Sequence, residues 1–369
     1  MKKWIVAACL TASVVLAQGQ TVSTTDSIEI AKPKLTFSAF ADIYYLYDFN
    51  QPENHERPGF VYAHSRHNEF ALNNAVIGAA YTSDVVRGNI GLHTGTYVQR
   101  NYAAETINGS EVLKYIYQAN VGVRLAKGLW LDAGILPSHI GYESALSIDN
   151  PTLTRSLMAD NTPYYETGAK LTWDISDQLT ISGLVLNGWQ RIVETDQNKA
   201  LGTQIQYKPT KGVLLNSSTF FGKEGTYRYY HNFYTVLDLI DKVTIIAAFD
   251  IGWQQQLDLN GKKDGTKTWW NPNLMVRYKP TDKVAITGRV EYYNDPNNII
   301  IAPTALPDEI FVTGFKTFSP SLNLDYFPIE SVALRIEGRL YSASNAVFMK
   351  DNQTKKTDGI ITTSMAFKF

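Results

Sequence analysis

Charged side chains recur at every second position of several short segments, a spacing suited to contact with ions or with one another. Arg289 and Glu291 form one such pair, and Arg335, Glu337 and Arg339 form a series. Residues at i and i+2 share one face of a β-strand. Such a face either passes charged solutes along or neutralises itself through ion pairs, and the alternating signs favour cross-strand ion pairs.

Histidines and carboxylates between residues 53 and 69 are of the types that bind transition metals. They are Glu53, His55, Glu56, His64, His67 and Glu69. A metal needs three or four ligands that converge, and these residues fall in a long polar connection between predicted strands. We therefore expect a solvated loop, and neither a metal nor another cofactor.

A lipid hydrolase built on a strand wall needs a serine beside a histidine, with a third group to orient the histidine. His93 and His231 are the only histidines inside predicted strands, and we expect His93 to face away from lipid. No nucleophile motif surrounds either residue. The sequence therefore predicts that the protein is not an enzyme.

The elements that position these charges are strands whose two faces differ. Val243, Ile245 and Phe249 share one face of a segment, and Thr244 and Asp250 lie on the other. The same alternation predicts sixteen strands, at about 34–48, 69–82, 85–99, 115–126, 128–137, 163–174, 177–189, 199–208, 211–222, 226–239, 242–254, 268–279, 283–293, 310–326, 331–343 and 359–369. Three of them (69–82, 226–239 and 310–326) alternate poorly, which leaves fourteen or eighteen strands open.

Short polar turns and long links alternate between these strands. The long links include 49–68, 100–113, 138–162, 255–267 and 294–309. Tight periplasmic turns and long extracellular loops are typical of outer-membrane barrels. The expected fold is thus all-β: a transmembrane, antiparallel, up-and-down β-barrel of about sixteen strands, wide enough for an aqueous lumen.

Composition agrees with a chain that alternates between lipid and water. The 369 residues include 22 Tyr, 16 Phe and 7 Trp, with a mean hydropathy of −0.19. Beyond the N-terminus no segment approaches the length of a transmembrane helix. The formal net charge of −1 does not suggest nucleic acid as a partner.

The two ends predict export to the outer membrane. Lys2 and Lys3 precede an apolar stretch, which indicates a signal peptide over 1–17, extending to about 20. A short periplasmic segment over 18–33 and a single barrel domain over 34–369 would follow. The only cysteine, Cys9, lies in the signal segment. Phe367 and the final Phe369 resemble the terminal signal that the barrel-assembly machinery reads.

Charges on the predicted lumen face have both signs. The basic residues are Arg87, Arg124, Lys170, Arg277, Arg289, Arg335 and Arg339, and the acidic ones include Asp132, Glu166, Asp250, Glu291 and Glu337. A ring of one sign selects ions of the other. This balance predicts weak selectivity, unless one side of the lumen collects the basic residues.

The longest loop, 138–162, is the candidate constriction. Its chargeable residues are His139, Glu143, Asp149, Arg155 and Asp160. The loop either folds into the lumen and narrows it, or stays on the surface near lipopolysaccharide. The sequence leaves both arrangements open.

A family resemblance rests on the segments around this loop. They are Gly134–Pro137, Gly141–Glu143, Asn150, Thr154–Leu157, Pro163–Gly168 and Asn187–Trp189. These segments resemble the OmpL-like β-barrel porins of Bacteroidota. The resemblance implies an outer-membrane porin and says little about its substrate.

The function expected from these observations is a passive, weakly selective channel for small polar or charged solutes. The alternative is an adhesin, a receptor or a structural envelope barrel with a blocked lumen. Expected partners are outer-membrane lipid and lipopolysaccharide, the barrel-assembly machinery, periplasmic chaperones and small solutes. A homo-oligomer stays open.

Overall fold

Strands form where apolar and polar side chains alternate, because lipid covers one face and the barrel interior the other. In the segment around residue 250, Phe249 is 39% exposed whereas Asp250 is 3% exposed. The computed structural model describes residues 33–369 except for Thr106, 258–259, 303, 306–309, 312–313 and 352. The predicted signal peptide and nearly all of the predicted segment 18–33 lie outside the described residues.

The described residues contain twenty strands, sixteen of which build the barrel. The barrel strands are β1 (Lys34–Asp48), β2 (Phe70–Thr82), β3 (Val86–Thr94), β4 (Ile116–Ala126), β5 (Leu129–Pro137), β6 (Tyr165–Asp174), β7 (Leu179–Leu186), β8 (Ala200–Tyr207), β9 (Val213–Glu224), β10 (Thr226–Ile240), β11 (Val243–Leu257), β12 (Lys263–Thr281), β13 (Val284–Asp295), β16 (Phe315–Ile329), β17 (Val332–Ala343) and β20 (Thr357–Lys368). Two short hairpins lie in loops: β14 (Thr304–Ala305) with β15 (Ile310–Phe311), and β18 (Phe348–Lys350) with β19 (Gln353–Lys355).

Helical structure is confined to the links. The α-helices are α1 (Thr96–Asn101) and α2 (Leu157–Asp160), and short 3₁₀ segments cover Ala103–Glu105, Ile107–Tyr115 and Ser147–Asp149. No helix in the described part of the chain is long and apolar enough to cross a membrane.

The barrel closes where the last strand meets the first. Each barrel strand pairs antiparallel with its neighbours along the chain, and β20 pairs with β1 from Phe40 opposite Lys368 to Asp48 opposite Ile360. The prediction of a closed, sixteen-stranded antiparallel barrel is confirmed. The final Phe369 donates its backbone N–H to the carbonyl of Ala39 at 3.0 Å, so the chain end continues the sheet.

A band of aromatic side chains faces outward next to the short turns. Its members are between 41% and 49% exposed: Tyr81, Trp173, Tyr207, Tyr278 and Tyr326. Amphipathic rings favour the level of the lipid headgroups. The band therefore marks one membrane interface, on the side of the short turns.

Several strand boundaries differ from the prediction. The third strand ends at Thr94 rather than at residue 99, because Gly95 turns the backbone with a φ of 138° and α1 follows. Strands β11 and β12 extend into the predicted loop 255–267. The sequence did not predict these extensions because the residues at the strand tips are mostly polar and do not alternate with apolar ones. The barrel strand predicted over 310–326 begins only at Phe315, after Gly314 with a φ of 84°.

We predict that Gly252 is essential for packing inside the barrel. A Cβ at this position would overlap the indole ring of Trp269, which is 2% exposed. Gly252→Ala should lower the free energy of unfolding by about 1–3 kcal/mol, because overpacking forces neighbouring side chains apart. Urea unfolding of the protein refolded into lipid vesicles measures this change.

Gly288→Ala is the matched control, since nothing lies within 4 Å of a Cβ built there. We expect no loss of stability in this variant. Equal stability of the two variants would contradict the packing argument.

Candidate functional site

The loop of residues 138–164, which joins β5 to β6, lies inside the barrel. Thr152, Leu153 and Ser156 are fully buried in it, and Leu157 is 1% exposed. A surface loop would leave such residues in water. Of the two arrangements that the sequence left open, the structure has the one in which the loop folds into the lumen. We call residues 138–164 the lumen loop, and this loop is the candidate functional element.

The lumen loop is fixed first at His139. The Nδ1 atom of His139 lies 2.9 Å from the Glu166 carboxylate, and its Nε2 atom lies 2.8 Å from the carbonyl oxygen of Thr219. Both partners are acceptors, so both ring nitrogens carry hydrogen. Burial alone would lower the pKa of His139, but the Glu166 carboxylate outweighs burial and raises it.

Arginines of the opposite wall bind carbonyl groups of the lumen loop. Arg335 donates to the carbonyl oxygens of Ser147 at 2.5 Å and Asn150 at 3.0 Å. Arg289 donates to the carbonyl of Thr154 at 2.7 Å. A guanidinium group has five N–H donors in a rigid fork, so one arginine can bind the loop and a wall carboxylate together.

Arg289 and a third arginine, Arg339, form ion pairs between β13 and β17, across the intervening strand β16. Arg289 lies 2.8 Å from Glu337, and Arg339 pairs with Glu291. The two carboxylates also accept backbone N–H groups of the loop, from Thr154 at 2.6 Å and from Leu157 at 2.8 Å. Each buried charge therefore has both an ionic partner and a backbone partner, which a buried ion pair needs to be tolerated.

A third contact joins the lumen loop to the first strand. The Asp42 carboxylate lies 2.9 Å from His64 Nε2 and accepts hydrogen bonds from Asn73 at 3.0 Å and from the Ser147 hydroxyl at 2.7 Å. Because a β-bulge interrupts the β1–β2 register at Asp42, both Asn73 and Asn74 are buried. The bulge thereby brings an additional donor to Asp42.

The expectation of a solvated loop over 53–69 is wrong for two of its histidines. His64 is 1% exposed beside Asp42, and His67 is 4% exposed and accepts the backbone N–H of Asp48 at 2.9 Å. The acidic Glu56 and Glu69 instead pair with Arg66 near the surface. Both histidines point inward because each forms a hydrogen bond with an aspartate of β1: His64 with the Asp42 carboxylate and His67 with the Asp48 backbone.

Three of the five candidate constriction residues (His139, Arg155 and Asp160) are buried, and Glu143 is partly exposed. Arg155 is 2% exposed and lies between the rings of Tyr97 and Tyr164, at 4.0 and 4.1 Å from their centroids. Asp160 is 4% exposed. The Glu143 carboxylate accepts from Ser156, and burial raises the pKa of Glu143 to about 7.

The fifth candidate, Asp149, is exposed and lies 2.7 Å from Lys368. The lumen loop therefore fills space mainly with its backbone and with buried, paired side chains.

The remaining charged positions of the wall divide into two groups. Arg277 and Arg335 both pair with Asp325, at 2.9 and 2.7 Å, and Asp250 is buried against Tyr230 and Asn232. The second group lies on β3 to β6: Arg87 bonds Asp132, and Lys170 and Arg124 lie near them. The first group is covered by the lumen loop.

Comparison with known protein families places the chain. The model of the family described as putative beta-barrel porin-2, OmpL-like, matches residues 34–369. The chain belongs to this family. It is an outer-membrane barrel of the porin class, and both family and fold are those of a non-enzymatic channel.

Solved structures share the fold of this porin at low sequence identity. The outer-membrane channel DcaP of Acinetobacter baumannii aligns with a TM-score of 0.59 and 12% identity, covering 92% of this chain and 98% of that one. The anion-selective porin from Comamonas acidovorans aligns at 0.59 and 8% identity, covering 92% and 100%. OmpT of Vibrio cholerae aligns at 0.54 and 10% identity, covering 92% and 100%. No curated protein matches the chain.

The two mid-strand histidines of the porin do not form a hydrolytic site with a third group. His93 is 3% exposed, and its Nε2 lies 2.8 Å from the carbonyl oxygen of Lys114. His231 Nε2 lies 2.8 Å from the Ser217 hydroxyl. Among the described residues, no carboxylate or amide side chain holds the other ring nitrogen of His231, which a serine–histidine catalyst would need.

We predict that Arg339 secures the lumen loop of the porin. It donates to the carbonyl of Arg155 at 2.6 Å and pairs with Glu291. Arg339→Met should lower the free energy of unfolding by about 3–5 kcal/mol, because it leaves a buried carboxylate without its closest partner. Urea unfolding in lipid vesicles measures the loss.

The matched control is Arg124→Met, since Arg124 is an exposed lumen-facing arginine. Its change should stay within about 0.5 kcal/mol. A loss at Arg339 no larger than this would refute the anchoring role.

A second prediction concerns pH. Because the pKa of Glu143 in the folded porin, about 7, lies above the ordinary value of 4.5, the folded state holds a proton that the unfolded state releases. This stabilising contribution is complete below pH 4.5 and is lost as the pH rises to 7. We expect unfolding between pH 5 and pH 8 to become easier by about 2 kcal/mol.

Glu143→Gln should reduce the change in unfolding free energy between the two pH values by about this amount, and Glu330→Gln, at an exposed turn residue, should leave it unchanged. Unfolding curves of the three proteins at both pH values test the assignment. An unaltered slope in the Glu143 variant would show that another group is responsible.

Proposed function

We propose that the porin is a passive channel for small polar or charged solutes, narrowed by the lumen loop. The observation that supports this is the course of residues 138–164 through the interior of a sixteen-stranded barrel, a size that encloses an aqueous lumen. Solutes pass beside the loop, selected by size and by the charges that water can reach.

The narrowing comes from the bulk of the loop rather than from a row of free charges. Glu143 and Arg155 are engaged by Ser156 and by two tyrosine rings. Reversing either charge would therefore act mainly by displacing the loop. Asp149, beside Lys368, is the most exposed of the candidate constriction residues.

Export and assembly follow the same proposal. Residues 1–17 serve as a signal peptide, and residues 18–33 form a short periplasmic segment. The strand end at Phe367 and Phe369 serves as the signal for the barrel-assembly machinery, which receives the chain from periplasmic chaperones. The extracellular loops meet lipopolysaccharide, and the resemblance around residues 134–168 supports an origin in Bacteroidota.

The first test is single-channel conductance of the mature protein in a planar bilayer. We expect discrete steps that scale with salt concentration. Replacement of residues 141–161 by a short Gly-Ser link should raise the conductance at least about twofold, because a wider cross-section carries more ions. Deletion of 195–198, an exposed loop tip, is the control and should leave it unchanged.

If the full-length and the loop-shortened proteins both fold correctly but conduct no current, the proposed channel function is wrong. It would favour the alternative, in which the lumen is blocked and the extracellular loops act as an adhesin or receptor. An equal conductance of the full and shortened forms would overturn the constriction alone.

A further inference from the structure

The lumen loop covers one part of the inner wall and leaves another part uncovered. Its polar contacts reach β1 through Asp42, β13 through Arg289 and β17 through Arg335. They also reach the loop-side end of β6 through Glu166, and β9 through Thr219. On β3 to β6, towards the short turns, inward-facing charged groups retain access to water. A solute that passes beside the loop therefore meets these charges of β3 to β6.

Three basic residues occupy this uncovered wall: Arg87, Arg124 and Lys170, named the basic strip below. Arg87 and Lys170 lie in one row across four strands. In this row Arg87 pairs with Gly122, Gly122 with Asp132, and Asp132 with Lys170. Arg124 lies two residues beyond Gly122, on the same face of β4. The strip therefore forms a continuous patch on the lumen wall.

The acidic groups near the basic strip are already neutralised. Asp132 accepts from Arg87 Nε at 2.7 Å, and the Arg87 guanidinium also lies 4.4 Å from the centre of the Trp130 ring. Glu166 is fully buried and pairs with His139 at 2.9 Å. The next carboxylate on this face of β6, Asp174 at the turn end of the strand, accepts a hydrogen bond from the Thr180 hydroxyl at 2.7 Å. Asp174 has neither Lys170 nor Arg124 within 4.0 Å, so it leaves both cations unpaired.

Lys170 and Arg124 carry the surplus positive charge. Lys170 reaches the side-chain oxygen of Gln204 at 3.5 Å, which is a neutral partner. Arg124 is exposed, and neither residue has a carboxylate within 4.0 Å among the described residues. On the covered side, by contrast, Arg289, Arg335 and Arg339 each have an ion-pair partner.

We propose that the basic strip gives the channel a preference for small anions, inorganic or organic, over cations. This inference rests on the proposed channel and adds its solute class. Uncompensated charges on the wall of a narrow lumen attract ions of the opposite sign and repel those of the same sign. The screening length is about 10 Å at 0.1 M salt and shortens as the salt concentration rises, so the preference is strongest in dilute salt.

The experiment is the reversal potential of the refolded mature protein in a planar bilayer under a gradient of KCl. We expect the permeability of chloride to exceed that of potassium by about twofold or more at 0.1 M salt. The double variant Arg124→Glu with Lys170→Glu should reverse this preference. The neutral double variant Arg124→Gln with Lys170→Gln should abolish it, and it avoids placing new acids beside Asp132 and Glu166.

Lys127→Glu with Lys211→Glu is the matched control. It makes the same change of charge at two exposed residues of short turns, so the preference for chloride should persist. Heat-modifiable migration on gels establishes folding of every variant before its currents are compared.

The outcomes separate this inference from the channel itself. A conducting protein without preference for chloride, or a neutral variant that keeps the preference, would overturn the anion assignment and leave the channel intact. An equal loss in the control would assign the selectivity to the rim and refute the basic strip. A folded but silent wild type would overturn both proposals.

Discussion

A chain segment that enters the interior of a barrel takes unpaired backbone N–H and C=O groups with it, and these groups must find partners. In the lumen loop no regular ladder supplies them, because its helical pieces, Ser147–Asp149 and Leu157–Asp160, are too short. The wall supplies them instead, through Arg289, Arg335 and Arg339 as donors and through Glu337 and Glu291 as acceptors. The position of the loop depends on these hydrogen bonds between its backbone and the charged side chains of the wall.

The same hydrogen bonds explain why the interior of the barrel tolerates so many charged side chains. A charge removed from water is costly unless it is paired and hydrogen-bonded. Arg289, Arg335 and Arg339 each pair with a carboxylate on another strand, and the loop backbone accepts further hydrogen bonds from them. Charged residues on the covered wall thus hold the loop, whereas those on the uncovered wall stay accessible to water. Arginine thus has two roles in the barrel: it anchors the loop where the loop covers it, and it faces water where the loop does not.

Much of the fold could be predicted because the β-strand period is local. Val243 and Asp250 can be assigned to opposite faces from their spacing alone, and the same period places Arg289 beside Glu291. The partners within the site could not be predicted, since Ser147 meets Asp42 and Arg335 across 105 and 188 residues. The burial of His64 depends on a bulge at Asp42, and the extension of β12 to Lys263 depends on polar residues without apolar alternation.

The distribution of these partners along the chain also orders the folding of the molecule. The lumen loop lies in the first half of the sequence, yet many of its partners belong to β1 at one end and to β13, β17 and β20 at the other. Contacts of such large separation are slow to form, because the chain entropy of closing the intervening segment must be lost first. Because β1 and β20 meet only when the barrel closes, the full set of loop contacts can form only in the closed barrel. An open sheet cannot hold the loop in its final position, so the last strand pairing of the wall also completes the interior.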